Sequence, residues 1–561
     1  MSDEAGDESR EEGGRPNTKA LVAYGVLLFF AFPHEIPFAA EAGSSLSSFD
    51  FGLLLTWLVP AALVIGLDGL APRRAAKVAF LSSFVAHTVF FYWFMVVTVV
   101  YGGMPFLLGV LAPLVPALYV APFTALFAWG FARFGSRSLS GILFGAALWV
   151  CADWTRGHLL GGFPWATLGY GLHLDLPLLA YTRWGGVYIL SFFAAGIGIV
   201  LGHLFLTRSE SKALPVRSLV AVGGVFVALH LGGFVLNAIE ERADSPTTVR
   251  VAAIQGNIEQ GEKWEAKRRE QILSTYLRLS EGAADSAAAG VDWIVWPETA
   301  VPGIVENDSI LRARLAELAR SRGASLVVGG MGVEIDHEAR IFSAFFDSAF
   351  QFDPDGALND RYDKTHLVPF GEFVPLRGLL GTVFQSLATG LSSSDVTPGE
   401  RPRNMMIGPS AGATERVLVG VPICYELLFP DLVRRFGGEG ATALLAITND
   451  AWYGRTGAPH QFLAMTAMRA AENALPTVRA ANTGVSALID DRGRVVRRSR
   501  LFEEASVVGE IQLQTGREPT FYARMGDVFV IFCLLVTFVR GVRATLGSKR
   551  RSSQDATVDP A

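Results

Sequence analysis

The chain has 561 residues, of which 50% are hydrophobic and 18% are charged, and its formal net charge is −5 at pH 7. This length predicts more than one structural unit. The mild acidic balance, without a basic patch interleaved with aromatic residues, argues against a nucleic-acid partner. Three cysteines show neither metal-site spacing nor a disulfide framework; they are Cys151, Cys424 and Cys533.

Apolar stretches dominate the first 236 residues and return near the C-terminus. Many approach the length of about 20 residues that crosses a bilayer as a helix. The first stretch lacks a small-residue cleavage site and further stretches follow it, which argues against a cleaved signal peptide. We therefore expect a polytopic α-helical membrane protein with about eight spans. They are predicted at 20–33, 51–67, 78–101, 107–131, 138–152, 187–206, 218–236 and 526–543.

Lysine and arginine cluster in alternate loops, after the second, fourth, sixth and eighth predicted spans. The loops near 34–50 and 102–106 carry neither residue. Basic loops stay in the cytoplasm, so the block from about 237 to 525 is predicted to lie outside. The basic residues are Arg73, Arg74, Lys77, Arg133, Arg137, Arg208, Lys212, Arg217, Arg540, Arg543, Lys549, Arg550 and Arg551.

The block after residue 237 changes to short β-rich runs that alternate with helical stretches, which predicts an α/β domain. Most of the β-rich runs are continuously apolar, as in a sheet that is buried on both faces. Strands are predicted at 249–255, 293–298, 325–331, 417–424, 443–449 and 485–490, and helices at 262–283, 309–322 and 459–474.

The predicted organisation has five parts. They are a disordered cytoplasmic tail (1–18), a seven-span membrane domain (19–236), an external α/β catalytic domain (237–525), a final membrane span (526–543) and a basic cytoplasmic tail (544–561).

Three residues of the α/β block supply the groups that acyl transfer needs. Glu298 closes one predicted strand, Cys424 closes another, and Lys364 lies between them in RYDKTHLVPFGE. Ligands of open α/β sheets bind beyond the carboxyl ends of the strands. A thiol needs a base to take its proton, and attack on a carbonyl creates an oxyanion that a fixed cation stabilises. We therefore predict Cys424 as the nucleophile, Glu298 as the proton acceptor and Lys364 as the oxyanion stabiliser.

Each of these residues also has a structural interpretation. Cys424 would then be a buried core cysteine, Glu298 a solvated acid at a strand end, and Lys364 a surface lysine paired with Asp363. The order of the three residues and their flanking motifs favour the catalytic interpretation. If 425–436 begins as a helix, its dipole would also favour the thiolate of Cys424.

Eight sequence blocks in both halves of the chain carry a resemblance to one family. They are GFPWATLGYGL (162–172), IQGNIEQGEKW (254–264), WPET (296–299), HLVPFGEFVP (366–375), ICYELLFPD (423–431), TNDAWYG (448–454), ANTGVSALID (481–490) and TFYARMGD (520–527). In these blocks the chain resembles the apolipoprotein N-acyltransferase family of the nitrilase (carbon–nitrogen hydrolase) superfamily. The resemblance covers nearly the whole chain outside its tails.

The resemblance implies an extracytoplasmic nitrilase-like domain, an α-β-β-α sandwich, held at the periplasmic face of the bacterial inner membrane. It implies a ping-pong reaction in which Cys424 takes the sn-1 acyl group of a membrane phospholipid as a thioester. The amine of the diacylglyceryl-cysteine at the N-terminus of an apolipoprotein then takes the acyl group. It implies supporting roles for Glu372, Tyr425 and Glu426, and a substrate-binding role for Trp264 on an arm over the site. No metal or organic cofactor is implied.

Two departures from the family pattern bear on specificity. Asp347 stands where the family commonly has Asn, in Phe-Asp-Ser-Ala, and the segment 454–457 differs from the more acidic or serine-rich version that is expected. Two alternatives stay open at this point. One is a membrane-tethered nitrilase-like amidase or hydrolase, in which water replaces the amine. The other is a polytopic scaffold, against which the intact Glu, Lys and Cys argue.

Overall fold

The structure is a computed structural model that describes residues 14–36, 48–211, 216–239, 247–261, 263, 265–287, 290–336, 341–373, 396–408 and 415–555. Residues 1–13 of the predicted N-terminal tail lie outside the described residues, and so does Trp264.

The membrane half consists of helices joined by short segments. Its helices are α1 (Thr18–Phe30), α2 (Leu58–Leu67), α3 (Pro72–Phe90), α4 (Leu114–Phe134), α5 (Leu139–Arg156), α6 (Thr182–Ser211) and α7 (Val216–Ile239). Shorter helical segments lie at Gly52–Leu55, Phe94–Val96, Val97–Tyr101, Phe106–Gly109, Leu159–Gly161, Leu168–Leu172 and Leu176–Leu179. Strands β1 (His34–Glu35) and β2 (Ser48–Phe49) pair in a small antiparallel sheet.

Among the described residues, four helical segments are long and apolar enough to cross a membrane: Phe106–Phe134, Thr182–Glu210, Val216–Ile239 and Val528–Leu546. A fifth span results if Pro72–Phe90 and Phe94–Tyr101 count together, although they meet at a bend of 58°. The predicted spans at 20–33 and 51–67 correspond to shorter apolar helices. The count of about eight therefore stays a prediction.

The block 237–525, predicted above to be the catalytic domain, is called the catalytic half below. Its strands form two sheets among the described residues. One has six strands in the order β14-β13-β12-β11-β10-β9, and the other has seven, in the order β15-β3-β4-β6-β7-β8 with β5 beside β6. The strands are β3 (Thr247–Gln255), β4 (Trp293–Val295), β5 (Val301–Ile304), β6 (Ser325–Asp336), β7 (Ile341–Phe352), β8 (Leu358–Asp363), β9 (Met405–Ile407), β10 (Val417–Gly420), β11 (Ala443–Thr448), β12 (Thr477–Ala481), β13 (Ala487–Ile489), β14 (Val495–Arg498) and β15 (Ala505–Leu513).

Helices cover the outer face of each sheet, because the strands are apolar on both sides. Ile254 and Ile294 face outward and pack with Leu273 and Leu315 of two covering helices. Alternate residues of the same strands, such as Val251, belong to the core shared with the six-stranded sheet. The helices of this half are α8 (Arg269–Ser286), α9 (Ser309–Arg322), α10 (Pro430–Gly438) and α11 (Ala458–Asn473). The last helix of the chain is α12 (Val528–Asp555).

Several predicted boundaries are wrong, and prolines explain most of them. The strand predicted at 293–298 ends at Val295, two residues before Pro297, and the strand predicted at 417–424 ends at Gly420. Proline lacks the N–H that the hydrogen-bond ladder of a sheet needs. Pro422 lies two residues after Gly420 and therefore ends the second strand early. The helix expected from residue 425 is a 3₁₀ turn at Cys424–Leu428, and α10 begins separately at Pro430.

The predicted helix at 262–283 begins late. A 3₁₀ turn occupies Ala266–Arg268 and α8 starts at Arg269, so the preceding residues form a loop. This loop brings a buried lysine, Lys263, into the site described below.

The membrane half packs against helix α11. The Trp165 indole donates to Gln461 Oε1 at 2.7 Å, the Val187 amide donates to Glu472 Oε1 at 2.7 Å, and Tyr92 Oη accepts from the Gly457 amide at 2.8 Å. Buried polar groups that are satisfied across an interface fix its geometry. The two halves of the molecule are therefore joined along the helix that follows β11.

Candidate active site

Three loops at strand ends bring Glu298, Lys364 and Cys424 together. Glu298 follows β4 and Lys364 follows β8 in the seven-stranded sheet, whereas Cys424 follows β10 in the six-stranded sheet. All three are buried, with exposed fractions of 6%, 1% and 7%. The group therefore lies between the two sheets and away from bulk solvent.

Lys364 is the centre of the group. Its Nζ donates to Glu298 Oε1 at 2.8 Å, to Glu372 Oε1 at 2.5 Å and to Asp347 Oδ2 at 3.3 Å. Burial alone would lower the pKa of Lys364, but attraction to the carboxylates of Glu298, Glu372 and Asp347 outweighs it and raises that pKa well above its usual value. The ammonium is therefore a fixed buried cation.

The same three carboxylates have oxygens within 4.8 Å of one another, a spacing that a metal ion could use. Among the described residues, the Lys364 ammonium lies between these carboxylates and donates to each of them. The donor set is thus arranged around an organic cation.

Glu298 lies between Lys364 and the nucleophile candidate. Burial would raise the pKa of Glu298, but Lys364 and the hydrogen bonds from Asp347, Lys364 and Cys424 outweigh burial and lower it. Glu298 is therefore a carboxylate that can accept a proton from the thiol beside it.

Cys424 is the first residue of its 3₁₀ turn and has a φ of 46°, a conformation that is uncommon for a residue with a side chain. The backbone N–H of Asn449 donates a hydrogen bond to the Cys424 sulfur. Burial and, after it, the negative charge of Glu298 raise the pKa of the Cys424 thiol well above its usual value. The thiol is therefore protonated until a reaction removes the proton.

Glu426 holds the strained turn in place. Its Oε2 accepts from the Ile423 amide at 2.8 Å, and its Oε1 accepts from the Thr365 amide and the Tyr362 hydroxyl at 2.7 and 2.8 Å. One buried carboxylate thus joins the loop of the thiol to the loop of Lys364. Strain of about 1–3 kcal/mol persists only where surrounding contacts enforce it, and these bonds supply that constraint.

The other predicted supporting residues are near the group in different ways. Glu372 contacts Lys364 directly, and its Oε2 accepts from the Val368 amide at 2.7 Å. Tyr425 packs edge-on against Phe429 with ring centroids 5.2 Å apart. Their functional roles stay predictions, as do those of Glu298, Lys364 and Cys424.

Sequence reasoning missed a second buried lysine. Lys263 Nζ donates to the Glu298 carbonyl oxygen at 3.2 Å and to Thr299 Oγ1 at 2.5 Å. Thr299 has a φ of 46°, so Lys263 supports the turn that carries Glu298. Burial lowers the pKa of Lys263 to about 8 despite attraction to Glu298. The missed signal was the lysine of GEKW (261–264), which lies shortly after the end of β3 and which the predicted helix at 262–283 concealed.

Comparison with known proteins defines the class of the catalytic half. Residues 250–519 match the family model of the carbon-nitrogen hydrolases, and residues 24–200 match that of the apolipoprotein N-acyltransferase N-terminal domain. The catalytic half is therefore a carbon–nitrogen hydrolase domain of the nitrilase type. Among solved structures, the Saccharomyces cerevisiae member of branch 10 of the nitrilase superfamily is similar over 48% of this chain and 93% of its own, at 19% identity and a TM-score of 0.36.

Comparison with relatives over nearly their full length narrows the class to one family. The apolipoprotein N-acyltransferase of Geobacter metallireducens is 36% identical over 89% of this chain and 92% of its own length. The enzyme of the same name from Vibrio vulnificus is 30% identical over 88% of this chain and 93% of its own length. The chain belongs to the apolipoprotein N-acyltransferase family.

Proposed function

We propose that the protein transfers a fatty acyl group from a membrane phospholipid, through a thioester on Cys424, to the N-terminal diacylglyceryl-cysteine amine of apolipoproteins. The observation that carries the proposal is a buried thiol on a strained turn beside a buried Glu298–Lys364 pair, in a domain joined to apolar helices. Full-length relatives that are named for this activity support it.

In the first half-reaction, the Cys424 sulfur forms a bond to the carbonyl carbon of the sn-1 ester. Glu298 accepts the thiol proton as this bond forms, and the Lys364 ammonium stabilises the oxyanion. The C–O bond then breaks, Glu298 returns the proton to the leaving oxygen, and a lysophospholipid departs. The raised thiol pKa and the lowered carboxyl pKa mean that the proton moves only with attack.

In the second half-reaction, the acceptor amine attacks the thioester carbonyl. Glu298 takes a proton from the amine, the C–S bond breaks, and the same proton returns to the Cys424 sulfur. Because Cys424 is only 7% exposed and lies at the junction of the sheets, bulk water has little access to the thioester. This burial and the names of the relatives favour the amine over water as acceptor.

The placement of the basic residues supports an external catalytic domain. Arg137 pairs with Glu210 at 2.8 Å, and Arg540 Nε donates to the Phe134 carbonyl at 3.1 Å, so basic loops gather at one end of the helices. The catalytic half contacts the opposite ends, for example at Val187. With basic loops in the cytoplasm, we propose a multi-pass protein of the bacterial inner membrane, with 19–236 and 526–543 in the bilayer and 237–525 in the periplasm.

We propose that Glu372 and Glu426 support Lys364 and the nucleophile's turn through the bonds described above. For Tyr425 we propose a role in shaping the pocket, and for Trp264 a role in binding substrate. Residues 1–18 and 544–561 are proposed as cytoplasmic tails.

The test uses purified full-length protein in mixed micelles, a phospholipid labelled in its sn-1 chain and a diacylated lipopeptide. The expected result is label on the lipopeptide amine, with loss of transfer in Cys424→Ala. Cys151→Ala and Cys533→Ala are matched controls because they remove the other cysteines of the chain, which lie in helices α5 and α12. Release of label only as free fatty acid would contradict the transferase and favour the hydrolase.

A further inference from the structure

The buried cluster around Lys364 contains more acids than bases. Among the described residues, three carboxyl groups (Glu298, Asp347 and Glu372) face two amino groups (Lys263 and Lys364). If every group were ionised, the cluster would carry one excess negative charge. An uncompensated buried charge is costly, and such a group neutralises itself by taking a proton.

Asp347 has the weakest compensation of the three acids. Its Oδ2 accepts from Lys364 Nζ at 3.3 Å, compared with 2.8 Å for Glu298 and 2.5 Å for Glu372. Its Oδ1 is buried and accepts a hydrogen bond from none of the described residues. Asp347 is 4% exposed and lies on β7 opposite Met331 of β6, a neighbour that brings no charge.

Asp347 and Glu298 nevertheless have carboxyl oxygens within 4.8 Å of each other in the buried cluster. Two ionised carboxylates at this range repel each other and share no hydrogen bond, because neither has a hydrogen to donate. A proton on one of the two removes this repulsion and supplies the hydrogen bond. Burial and then the charge of Glu298 raise the pKa of Asp347 well above its usual value, whereas the pKa of Glu298 is lowered.

We propose that Asp347 is a positioning residue that keeps a proton in the resting site and donates it in a hydrogen bond to Glu298, which orients that carboxylate toward Cys424. The proton makes the cluster neutral, with two carboxylates against two ammonium groups. The inference rests on the proposed function, because Glu298 matters here as the base. The charged or titratable groups that face Asp347 are Glu298, Lys364, Glu372 and Lys263.

The first test measures protonation without turnover, by infrared spectroscopy of the full-length protein at neutral pH. The spectrum of the wild type minus that of Asp347→Asn is expected to show a carboxylic-acid C=O stretch. The control is Asp363→Asn, because Asp363 precedes Lys364 and is bonded to Ser348 at 2.5 Å and Arg361 at 2.6 Å. This control should remove a carboxylate stretch only. Loss of a carboxylate stretch in Asp347→Asn would overturn the inference.

The second test asks whether the donor or the charge matters, through thioester formation from labelled phospholipid. Asp347→Asn keeps a donor without a charge and should stay within a few-fold of the wild-type rate. Asp347→Leu is similar in size but removes the donor and should lose at least about tenfold, with recovery in the Asn variant. Equal losses in both variants would overturn the inference. If the wild type itself forms no thioester while the infrared band is present, the proposed function fails and the protonation of Asp347 stands.

Discussion

Two buried groups of charges, one in each half of the molecule, differ in their balance of acids and bases. In the membrane half, Asp153 Oδ1 accepts from Arg156 at 3.1 Å, and Oδ2 accepts from Ser191 at 3.1 Å and from the Leu168 amide at 3.4 Å. One acid there faces one base, and both oxygens of the acid are bonded, although Arg156 Nε is buried and donates to none of the described residues. In the catalytic half the acids outnumber the bases, and Asp347 Oδ1 accepts nothing from the described residues.

The difference separates a charge pair that joins helices from a charge cluster that we propose serves chemistry. In a balanced pair each charge already has an opposite partner, so the pair acts mainly through geometry. In the unbalanced cluster the pKa values of the Cys424 thiol and of Asp347 are both raised, as our proposal of proton transfer there requires. Perturbed carboxyl and thiol pKa values concentrated at one place are typical of active sites.

Removing the central cation should have the largest effect. Lys364→Met leaves the buried carboxylates without their shared donor, which costs about 3–5 kcal/mol of stability when one partner of a buried pair is lost. We expect no detectable thioester and a large fall in the melting temperature, measured by labelled-phospholipid turnover and by thermal unfolding in detergent. The control is Lys267→Met, because Lys267 pairs with Glu265 at the surface. A Lys364→Met variant with near-normal rates would contradict the role of Lys364.

Removing the base alone should affect rate more than stability. Glu298→Gln keeps the size of the side chain and its contact with Lys364, but it cannot accept the thiol proton. We expect thioester formation to fall by about 10²–10⁴-fold, measured by acyl-enzyme trapping. Glu306→Gln is the matched control, because Glu306 pairs with Arg361 outside the cluster. An unchanged rate in Glu298→Gln would show that another group takes the proton.

Breaking the pair in the membrane half should affect stability more than the chemistry. Asp153→Asn removes the charge partner of the buried Arg156 and should cost about 3–5 kcal/mol. We expect a lower melting temperature, with a thioester-forming rate per folded molecule close to that of the wild type. If the rate fell as steeply as in Glu298→Gln, the distinction between the two charge groups would be wrong.

The smallest expected effect is a pH dependence of stability that comes from Lys263. Its pKa is lowered in the folded protein from 10.5 to about 8 by burial. Between these two values the unfolded state binds more protons than the folded state, so stability rises with pH across this window and is flat on either side. The difference in melting temperature between the wild type and Lys263→Met should show that rise. If the melting temperature of the wild type relative to Lys263→Met fell with pH in this window, the lowered pKa of Lys263 would be contradicted.

Much of the catalytic half could be predicted from sequence, because its strands are continuous apolar runs and its candidate site residues follow strand ends. The positions of Glu298, Lys364 and Cys424 in neighbouring loops follow from that pattern. The raised pKa of Asp347 could not be predicted, because it depends on how many acids and bases tertiary packing brings into one cluster. The position of Lys263 was missed because the helical tendency of 262–283 yields to a loop in the folded protein.

The membrane half was harder to predict in detail. Hydropathy detects apolar length but not bends, so the predicted span at 78–101 gave no indication of the break after Phe90. The contacts of Glu426 could not be predicted either, since its bonds to Tyr362 and Thr365 join segments about 60 residues apart. Such contacts depend on the packing of the two sheets and leave no local signal.

The most direct test of the central claim locates the acyl group on the protein. The full-length protein is incubated with one phospholipid and no acceptor, digested, and analysed by mass spectrometry of its cysteine peptides. The account predicts one acyl chain on the Cys424 peptide, removable by neutral hydroxylamine and present in Cys151→Ala and Cys533→Ala. An unmodified Cys424 in the wild type, or an acyl adduct that persists in Cys424→Ala, would contradict it.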